Sequence, residues 1–170
     1  DRLTALVRTL LEMSNLQSVS RSDEIELAPL IDEILTDLTT LAEQKNITFH
    51  QNCEDICMIG SDTLIYRLLF NLIENAIKYN HFGGQVTVTA YRKGKNICLS
   101  VEDTGSGIPA ELKERIFEPF FRVDKSRSRQ LGGVGLGLAL VREIVRVHDG
   151  RITVQSSPSG GTIFEVVFTQ

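Results

Sequence analysis

The sequence lacks any long apolar run, and no stretch approaches the roughly 20 residues that a membrane-spanning helix requires. A secretory signal peptide, internal repeats and low-complexity tracts are also missing. Nothing in these 170 residues therefore indicates a segment that spans a bilayer. The chain begins at Asp1, without Met and within a helical pattern, so we expect it to be a piece of a longer protein whose upstream part could carry a membrane anchor.

Cysteine is also sparse, and the chain has no excess of positive charge. The three cysteines, Cys53, Cys57 and Cys98, match neither a zinc-finger nor a redox spacing, and their odd number argues against a disulfide framework. We therefore expect a reducing, cytosolic environment. The formal net charge of −4 offers nucleic acid no general attraction, so we expect no nucleic-acid partner. The apolar fraction of 42% suffices for the core of one compact domain.

The first quarter of the chain shows helical periodicity. Apolar residues between Leu3 and Met13 predict a helix over residues 1–16, with an apolar stripe that needs a partner helix. The polar stretch over 17–26 is predicted to be a linker. Apolar residues over 27–45 predict a single second amphipathic helix.

The remainder mixes strands and helices without a regular β-α-β alternation. Alternating patterns predict strands over 47–49, 56–59, 85–92, 96–103, 152–156 and 162–168. Helices are predicted over 61–79, 109–116 and 135–148. This order favours an α+β fold, a two-layer sandwich of one mixed sheet with helices on one face.

Four polar residues lie on one face of the predicted helix 61–79. Asn71, Glu74, Asn75 and Lys78 have relative spacings of 0, 3, 4 and 7, which bring them together opposite the apolar side. Such a stripe is usually only the solvent face, but two asparagines, which are weak helix formers, favour a binding role. An Asn oxygen can ligate Mg²⁺, which also keeps water and phosphate oxygens, and Lys78 could then meet a phosphate.

Two glycine-rich segments carry further candidates. The first, residues 103–109, follows a strand, so the Asp103 carboxylate can accept a hydrogen bond from a base, and Gly105 and Gly107 let a flat ring approach the backbone. The second, residues 132–138, runs into a helix whose free N–H groups favour phosphate. It is neither a P-loop nor a dinucleotide fingerprint. Each segment alone is also compatible with an ordinary turn.

A basic loop lies between these glycine-rich segments. It carries Arg122, Lys125, Arg127 and Arg129, and its position beside a glycine-rich helix start is typical of a lid over phosphate groups. Each of the last three residues also fits an ordinary surface loop.

In their order and spacing, these segments resemble the catalytic, ATP-binding domain of bacterial sensor histidine kinases. The wider GHKL superfamily includes DNA gyrase B, the large heat-shock chaperones and the MutL repair proteins. The N box is matched by residues 71–79, the first glycine box by 103–107, the F box by 117–122, the second glycine box by 133–137 and a third, shorter glycine region by 160–162. Several boxes in the right order argue strongly against a chance match.

The resemblance covers about residues 27–170 and implies a domain organisation. Residues 27–170 would form the ATP-binding catalytic domain, with the Bergerat fold. Residues 1–16 match the C-terminal part of the second helix of a dimerisation hairpin, and 17–26 would be the linker. The resemblance also implies a homodimer in the full-length protein, a response-regulator receiver domain as partner, and a cytoplasmic location as part of an inner-membrane sensor.

At the phosphate end of the implied site, the resemblance predicts ATP and Mg²⁺ as cofactors. Asn75 would ligate the metal, and Asn71 would assist near the phosphates. Lys78 would contact a phosphate, and Arg122 would face the γ-phosphate, so Asn71 and Arg122 are the expected catalytic residues. The residues that would shape the lid hinge and the phosphate-facing helix start are Gly133, Gly135, Leu136 and Gly137.

At the base end, the resemblance implies that Asp103 takes the adenine amino group and so distinguishes ATP from GTP. Tyr79 would border the adenine, and Thr162 would hold a water bound to it. The residues expected to line the base are Gly105, Gly107 and Ile108.

Asn71 indicates the direction of the chemistry. In the gyrase-like and chaperone-like ATPases this position resembles a Glu site that activates water, whereas Asn cannot take a proton. Asn71 therefore favours transfer of the γ-phosphate to a protein over hydrolysis. Glu74, one turn away, is expected to have a minor or regulatory role.

The phosphate acceptor of a histidine kinase is a histidine followed by an acidic residue and, a few residues later, a proline. His50, His81 and His148 lack this context, so we expect all three to be structural and the acceptor to lie outside this chain. The chain by itself would then bind ATP without phosphorylating itself.

Two other functions share the same boxes. One is an ATP-gated clamp or a regulatory nucleotide-binding module, against which Asn71 counts. The other is a Ser/Thr anti-sigma-factor kinase, a class that usually lacks a dimerisation helix such as the one predicted over 1–16.

Overall fold

The computed structural model describes residues 1–124, 126 and 135–170. The helices are α1 (Arg2–Asn15), α2 (Leu27–Asp37), α3 (Thr39–Gln44), α4 (Asp62–Lys78) and α5 (Gly137–Val147). The strands are β1 (Asp23–Glu26), β2 (Thr48–Cys53), β3 (Cys57–Gly60), β4 (Gln85–Lys93), β5 (Asn96–Asp103), β6 (Arg151–Ser156) and β7 (Thr162–Thr169). Short 3₁₀ turns cover Leu16–Ser18, Ala110–Leu112 and Arg115–Phe117.

One five-stranded mixed sheet forms the centre of the fold, in the order β2-β4-β5-β7-β6. β2 and β4 run parallel, and the other neighbours are antiparallel. Alternate residues of β4 are fully buried, as at Val86, Val88 and Ala90, because this face of the sheet packs against helices. Helices α2, α4 and α5 contact the sheet. The expected two-layer α+β arrangement with a mixed sheet is confirmed.

A second, two-stranded sheet pairs β1 with β3 in antiparallel register, with Asp23 opposite Gly60. This strand corrects the prediction that residues 17–26 are only a linker, because their last four residues belong to a sheet. Its single buried side chain, Ile25, is 3% exposed, and a four-residue strand with three charged residues has no readable alternation. The strand exists because β3, distant in sequence, supplies the hydrogen bonds.

The helix predicted over 27–45 is two helices, broken at Leu38, whose φ of −96° and ψ of 3° are not helical. On either side of the break, the hydroxyl of Thr36 donates to the carbonyl of Asp32, and that of Thr39 donates to the carbonyl of Leu35. Such bonds compete with the helical backbone pattern and bend helices. The short helix predicted over 109–116 is instead two short 3₁₀ turns, Ala110–Leu112 and Arg115–Phe117.

Helix α4 begins and ends as predicted. Ser61 caps it by accepting a hydrogen bond from the Leu64 N–H, and Asp62 places a negative charge in the first turn. Its inward side chains are fully buried, among them Ile65, Leu68 and Ile73. The helix is therefore held against the sheet by its buried side, and the face that carries Asn71 points away from these buried side chains.

Helix α1 lies at the edge of the domain, and every one of its residues keeps some exposure. Leu3 is 65% exposed and Leu11 is 58% exposed, so the apolar stripe is open in the single chain. Within the described ranges, no helix combines the length and the apolar character needed to cross a membrane.

Candidate functional site

A cavity of about 540 Å³ opens between α4, the end of β5, the 3₁₀ turns and the start of α5. The predicted site residues that line it are Asn71, Asn75, Lys78, Tyr79, Asp103, Gly107, Ile108, Arg122, Gly135, Leu136, Gly137 and Thr162. Gly105 is not among the lining residues and lies just behind them. Gly133, and with it Lys125, Arg127 and Arg129, lies outside the described residues.

Asp103 ends β5 with its carboxylate fixed. The residue is 7% exposed, and Oδ1 accepts hydrogen bonds from the backbone N–H groups of Gly105 (2.8 Å) and Thr162 (3.3 Å). Burial raises the pKa of this carboxyl above its usual value, while the two N–H groups oppose that shift. Because the bonds within the described chain use Oδ1, the second oxygen is the one available to a ligand donor.

Two glycines let the surrounding turns close on Asp103. Gly107 has a φ of +73°, and a Cβ there would lie 2.5 Å from the carbonyl oxygen of Gly160. A Cβ at Gly161 would lie 2.0 Å from the carbonyl oxygen of Asp103. A side chain at either position would therefore push the β6–β7 turn away from the base end of the cavity.

Asn71 and Asn75 lie one helical turn apart on α4, and both line the cavity. The Nδ2 atom of Asn71 is buried and has no hydrogen-bond partner within the described chain. Its Oδ1 lies towards the start of α5, where a Cβ on Gly137 would be 3.9 Å away. A buried donor without a partner costs free energy unless a ligand satisfies it, so this end of the cavity is suited to a polar guest.

The donor set for a cation is neutral and small. Across the described ranges, no three His, Cys, Asp or Glu side chains cluster as a metal site. Mg²⁺ commonly takes only one or two protein ligands and completes its shell with water and phosphate oxygens. The amide oxygens of Asn71 and Asn75 therefore fit a Mg²⁺ that arrives with a polyphosphate, and do not form a free-standing metal site.

Lys78 is already paired inside the cavity. Its Nζ lies 2.5 Å from Oε1 of Glu74, one turn earlier, and the two side chains are 25% and 27% exposed. A phosphate would have to share or displace this carboxylate. Glu74 therefore limits the positive charge that the cavity presents, an effect that the sequence pattern alone did not reveal.

The start of α5 and the segment before Arg122 are joined through the backbone. The N–H of Phe120 donates to the carbonyl of Gly135 at 2.8 Å. Leu136 precedes α5 and has no polar side chain, and no side chain of the described residues caps the helix, so its first turn can offer backbone N–H groups to the cavity. Arg122 and the start of this helix therefore line the same cavity as Asn71 of α4.

Helix α1 also reaches the site, which the sequence pattern did not predict. Thr9 lines the cavity, and so does Arg67 of α4. The guanidinium of Arg67 pairs with the carboxylate of Glu12 at 3.2 Å, with both side chains more than a third exposed. A surface ion pair of this kind contributes little to stability, so it holds α1 only weakly against α4.

The three histidines stay away from the cavity. His50 and His81 are exposed, and His148 joins two helices: its Nε2 accepts from the Ser61 N–H (3.0 Å) and its Nδ1 lies 2.8 Å from the Ile144 carbonyl. These bonds require the neutral ring with its proton on Nδ1. Burial lowers the pKa of His148, in agreement with this neutral state.

Comparison with known proteins relates this geometry to one family. Residues 60–170 match the model of the histidine kinase-, DNA gyrase B- and HSP90-like ATPases. The sensor-like histidine kinase SenX3 of Mycobacterium tuberculosis (strain ATCC 25618 / H37Rv) is 38% identical over 168 residues, which span 96% of this chain and 41% of SenX3. The chain thus spans about two fifths of the length of this curated relative.

Solved structures give the same relationship. The nucleotide-free catalytic domain of the histidine kinase ThkA is 30% identical, with a TM-score of 0.79 over 88% of this chain and 96% of that one. ThkA in complex with the response regulator protein TrrA is 28% identical, with a TM-score of 0.78 over 98% of this chain and 48% of that one. The second match extends over α1 as well as the domain that carries the cavity.

Proposed function

Because the chain belongs to the family of histidine kinase-, DNA gyrase B- and HSP90-like ATPases, we propose that it is the catalytic domain of a two-component sensor histidine kinase. Its reaction is the transfer of the γ-phosphate of Mg-ATP to a histidine outside this chain. The observation that carries the proposal is Asn71, whose buried Nδ2 has no partner in the described chain at the phosphate end of the cavity.

The position of Asn71 argues for transfer to a protein acceptor. An amide cannot remove a proton from water, so it orients a phosphate without promoting its hydrolysis. The nearest cavity carboxylate on the same helix, that of Glu74, is held by Lys78 at 2.5 Å and is a poor candidate for a free base. The cavity therefore favours keeping the phosphate intact until an acceptor side chain approaches.

The base end would bind adenine. The free oxygen of Asp103 accepts the exocyclic amino group, which guanine lacks at that position, while Tyr79 and Ile108 border the ring. Thr162, whose N–H is bonded to Asp103, holds a water against the base. Gly105 and Gly107 keep side chains out of the ring's space.

The phosphate end would bind the metal and the reacting group. Asn75 would be the principal protein ligand of Mg²⁺ and Asn71 the second, and the metal would offset the negative charge of the phosphate groups. Arg122 faces the γ-phosphate, and Lys78 contacts a phosphate after releasing Glu74. Gly135, Leu136 and Gly137, together with Gly133, form the helix start that receives the remaining phosphate oxygens.

The whole protein needs parts beyond this chain. Residues 1–16 would be the end of the second helix of a dimerisation hairpin and 17–26 its linker to the catalytic domain 27–170, with the acceptor histidine on the other hairpin helix. Two protomers would pair through the stripe that includes Leu3 and Leu11. The phosphate would pass to an aspartate of a receiver domain, as the ThkA complex with a response regulator supports. The domain would work in the cytoplasm, attached to an inner-membrane sensor.

Isothermal calorimetry with ATP and Mg²⁺ tests the site. Asn75→Ala removes the proposed metal ligand, and we expect the affinity for Mg-ATP to fall by roughly 100-fold, since loss even of outer-shell metal partners commonly costs about 10–100-fold. In the absence of Mg²⁺ the wild type and the variant should bind ATP with equal affinity, because the Asn75 side chain then has no metal ion to bind.

The matched control for this experiment is Asn52→Ala, an exposed asparagine on β2 that does not line the cavity. It should bind Mg-ATP as the wild type does. A Mg²⁺-dependent affinity that is unchanged in Asn75→Ala would refute the assignment of this residue to the metal.

A further inference from the structure

Two polar residues behind the base end of the cavity have no role in the site described so far. Lys45, just after α3, donates from Nζ to the main-chain carbonyls of Ile77 (3.4 Å), Lys78 (2.5 Å) and Asn80 (3.1 Å). Its own carbonyl accepts from the Gly83 N–H at 2.8 Å. The last carbonyls of a helix have no partner within the helix, and a positive charge beside them is favourable. Lys45 therefore caps the C-terminal end of α4 from another helix.

Asn80 follows the end of α4, and its buried side chain makes further hydrogen bonds at this end of the helix. It is 1% exposed, its Nδ2 donates to the Gln85 carbonyl at 2.9 Å, and its Oδ1 accepts from the His81 N–H (2.9 Å) and the Thr104 hydroxyl (3.0 Å). Thr104 directly follows Asp103 at the end of β5. The single side chain of Asn80 thus ties the end of α4 to the start of β4 and to the end of β5.

These bonds fix the spacing between the two walls of the base end. Tyr79 forms one wall and Asp103 the other, and Lys45 and Asn80 are not among the cavity-lining residues. The walls are in close contact, because a Cβ on Gly105 would lie 2.5 Å from the Tyr79 carbonyl oxygen and 3.1 Å from the Asn80 Cα. A small shift of the α4 end would therefore change the width of the base slot directly.

We propose that Lys45 and Asn80 are positioning residues that hold Tyr79 at a set distance from Asp103, and so determine the affinity and the selectivity of the site for adenine. Neither residue touches the nucleotide. The inference rests on the proposed function, since it requires the base to bind between these two walls.

Calorimetry and competition binding with Mg-ATP and Mg-GTP test the inference. Lys45→Met keeps the length of the side chain and removes its three donor bonds, and we expect affinity for ATP to fall by roughly tenfold, the effect of losing about one charge-assisted hydrogen bond. Affinity for GTP should fall less, because guanine never made the amino contact with Asp103. The preference for ATP over GTP therefore narrows, and Lys45→Arg, which restores donors, should recover most of it.

The ratio of the two affinities separates positioning from a general loss of stability. A partly unfolded variant lowers the binding-competent fraction for both nucleotides alike and leaves their ratio unchanged. Lys93→Met, an exposed lysine at the far end of β4, makes the same change in charge and should bind both nucleotides as the wild type does. If Lys45→Met does not fold, Thr104→Val is the alternative, because it removes one of the hydrogen bonds to Asn80. It should reduce the preference for ATP over GTP in the same way.

Wild-type affinities and wild-type selectivity in a folded Lys45→Met or Thr104→Val variant would overturn the inference. A wild-type chain that fails to bind ATP would instead overturn the proposed function. The two failures are therefore distinguishable within one set of titrations.

Discussion

At the scale of single residues, Asp103 shows how one side chain can be prepared for one ligand group. Two backbone N–H groups occupy Oδ1, at 2.8 and 3.3 Å, so the carboxylate cannot rotate without losing both bonds. The raised pKa shows that burial disfavours its charge, which a donor from the ligand would relieve. The carboxylate is thus held in one orientation, with its second oxygen available to a hydrogen-bond donor of the ligand.

Asp103→Asn tests this orientation. With its amide oxygen on the two backbone N–H groups, the variant presents an NH₂ group to the adenine amino group, so two donors face each other. We expect affinity for ATP to fall by roughly 10- to 100-fold, corresponding to a lost hydrogen bond to a charged group. Calorimetry measures the loss, with Asp55→Asn, an exposed residue before β3, as the control of equal charge. Normal ATP binding by Asp103→Asn would show that the base binds elsewhere.

At the scale of the elements, α4 is the structural support of the site because it is held at both ends by other elements. Lys45 binds its C-terminal carbonyls, and His148, just after α5, accepts the Ser61 N–H at its N-terminal end. A Cβ on Gly60 would lie 2.9 Å from the His148 ring, so the joint is closely packed as well as hydrogen-bonded. The polar face with Asn71 and Asn75 therefore has little freedom to shift.

The joint at His148 makes the stability of the domain depend on pH. Its pKa is lowered in the folded state by burial, so below pH 6.5, the ordinary value, the unfolded chain binds a proton that the folded chain resists. The free energy of unfolding contributed by this residue should therefore be constant above that pH and decline as the pH falls below it. Urea unfolding at a series of pH values measures the decline.

His148→Gln supplies the comparison for that series, because it cannot take up a proton in this range. The slope of stability against pH below 6.5 should become shallower in this variant. His81→Gln, at an exposed position, is the matched control for the loss of a histidine. Equal slopes for His148→Gln and the wild type would exclude His148 as the source.

Other elements show what short-range patterns can and cannot predict. The boundaries of α4 and of the β6–β7 hairpin followed from periodicity, a serine cap and a Gly-rich turn, all local signals. The break at Leu38 did not, because helical periodicity continues through it, while the hydroxyls of Thr36 and Thr39 donate to backbone carbonyls on either side of the break. β1 was missed for a different reason, namely that its partner is more than 30 residues away.

At the scale of the whole molecule, α1 lies at the edge of the domain, where Met13 packs against the core and Thr9 reaches the site. Thr9 borders the cavity, and the pair Glu12–Arg67 is a weak surface contact. The apolar stripe on the same helix remains exposed at Leu3 and Leu11. These features agree with the proposal that α1 docks on a second protomer in the full-length protein.

The chain alone should bind ATP and fail to phosphorylate itself. Its three histidines lie away from the cavity, and His148 is held on both ring nitrogens. We expect incubation with ATP labelled in the γ-phosphate to leave no acid-labile label on the protein. Calorimetric binding of ATP to the same preparation is the control that the site is intact. A label that disappears on replacing His50, His81 or His148 by Gln would contradict the prediction and identify the acceptor.

The amino-acid sequence by itself determined which chemical groups the site contains. Asn71, Asn75 and Asp103 could be predicted as site residues because helical spacing, strand ends and glycine-rich segments are local patterns, and the resemblance that their order carries gave Arg122 its predicted role. Twelve of the predicted site residues line one cavity. The same patterns could not show which residues hold these groups in place.

Only the tertiary structure decided which residues hold the binding groups of the site in position. Lys45, Asn80 and His148 act through contacts between residues separated by about 5 to 90 positions, which no periodicity encodes. The pairing of Glu74 with Lys78 follows from their i,i+4 spacing, but its position at the cavity depends on how α4 packs. The identity of a binding group is a property of a residue, whereas its position is a property of the whole packed chain, because burial and close approach are set by elements distant in sequence.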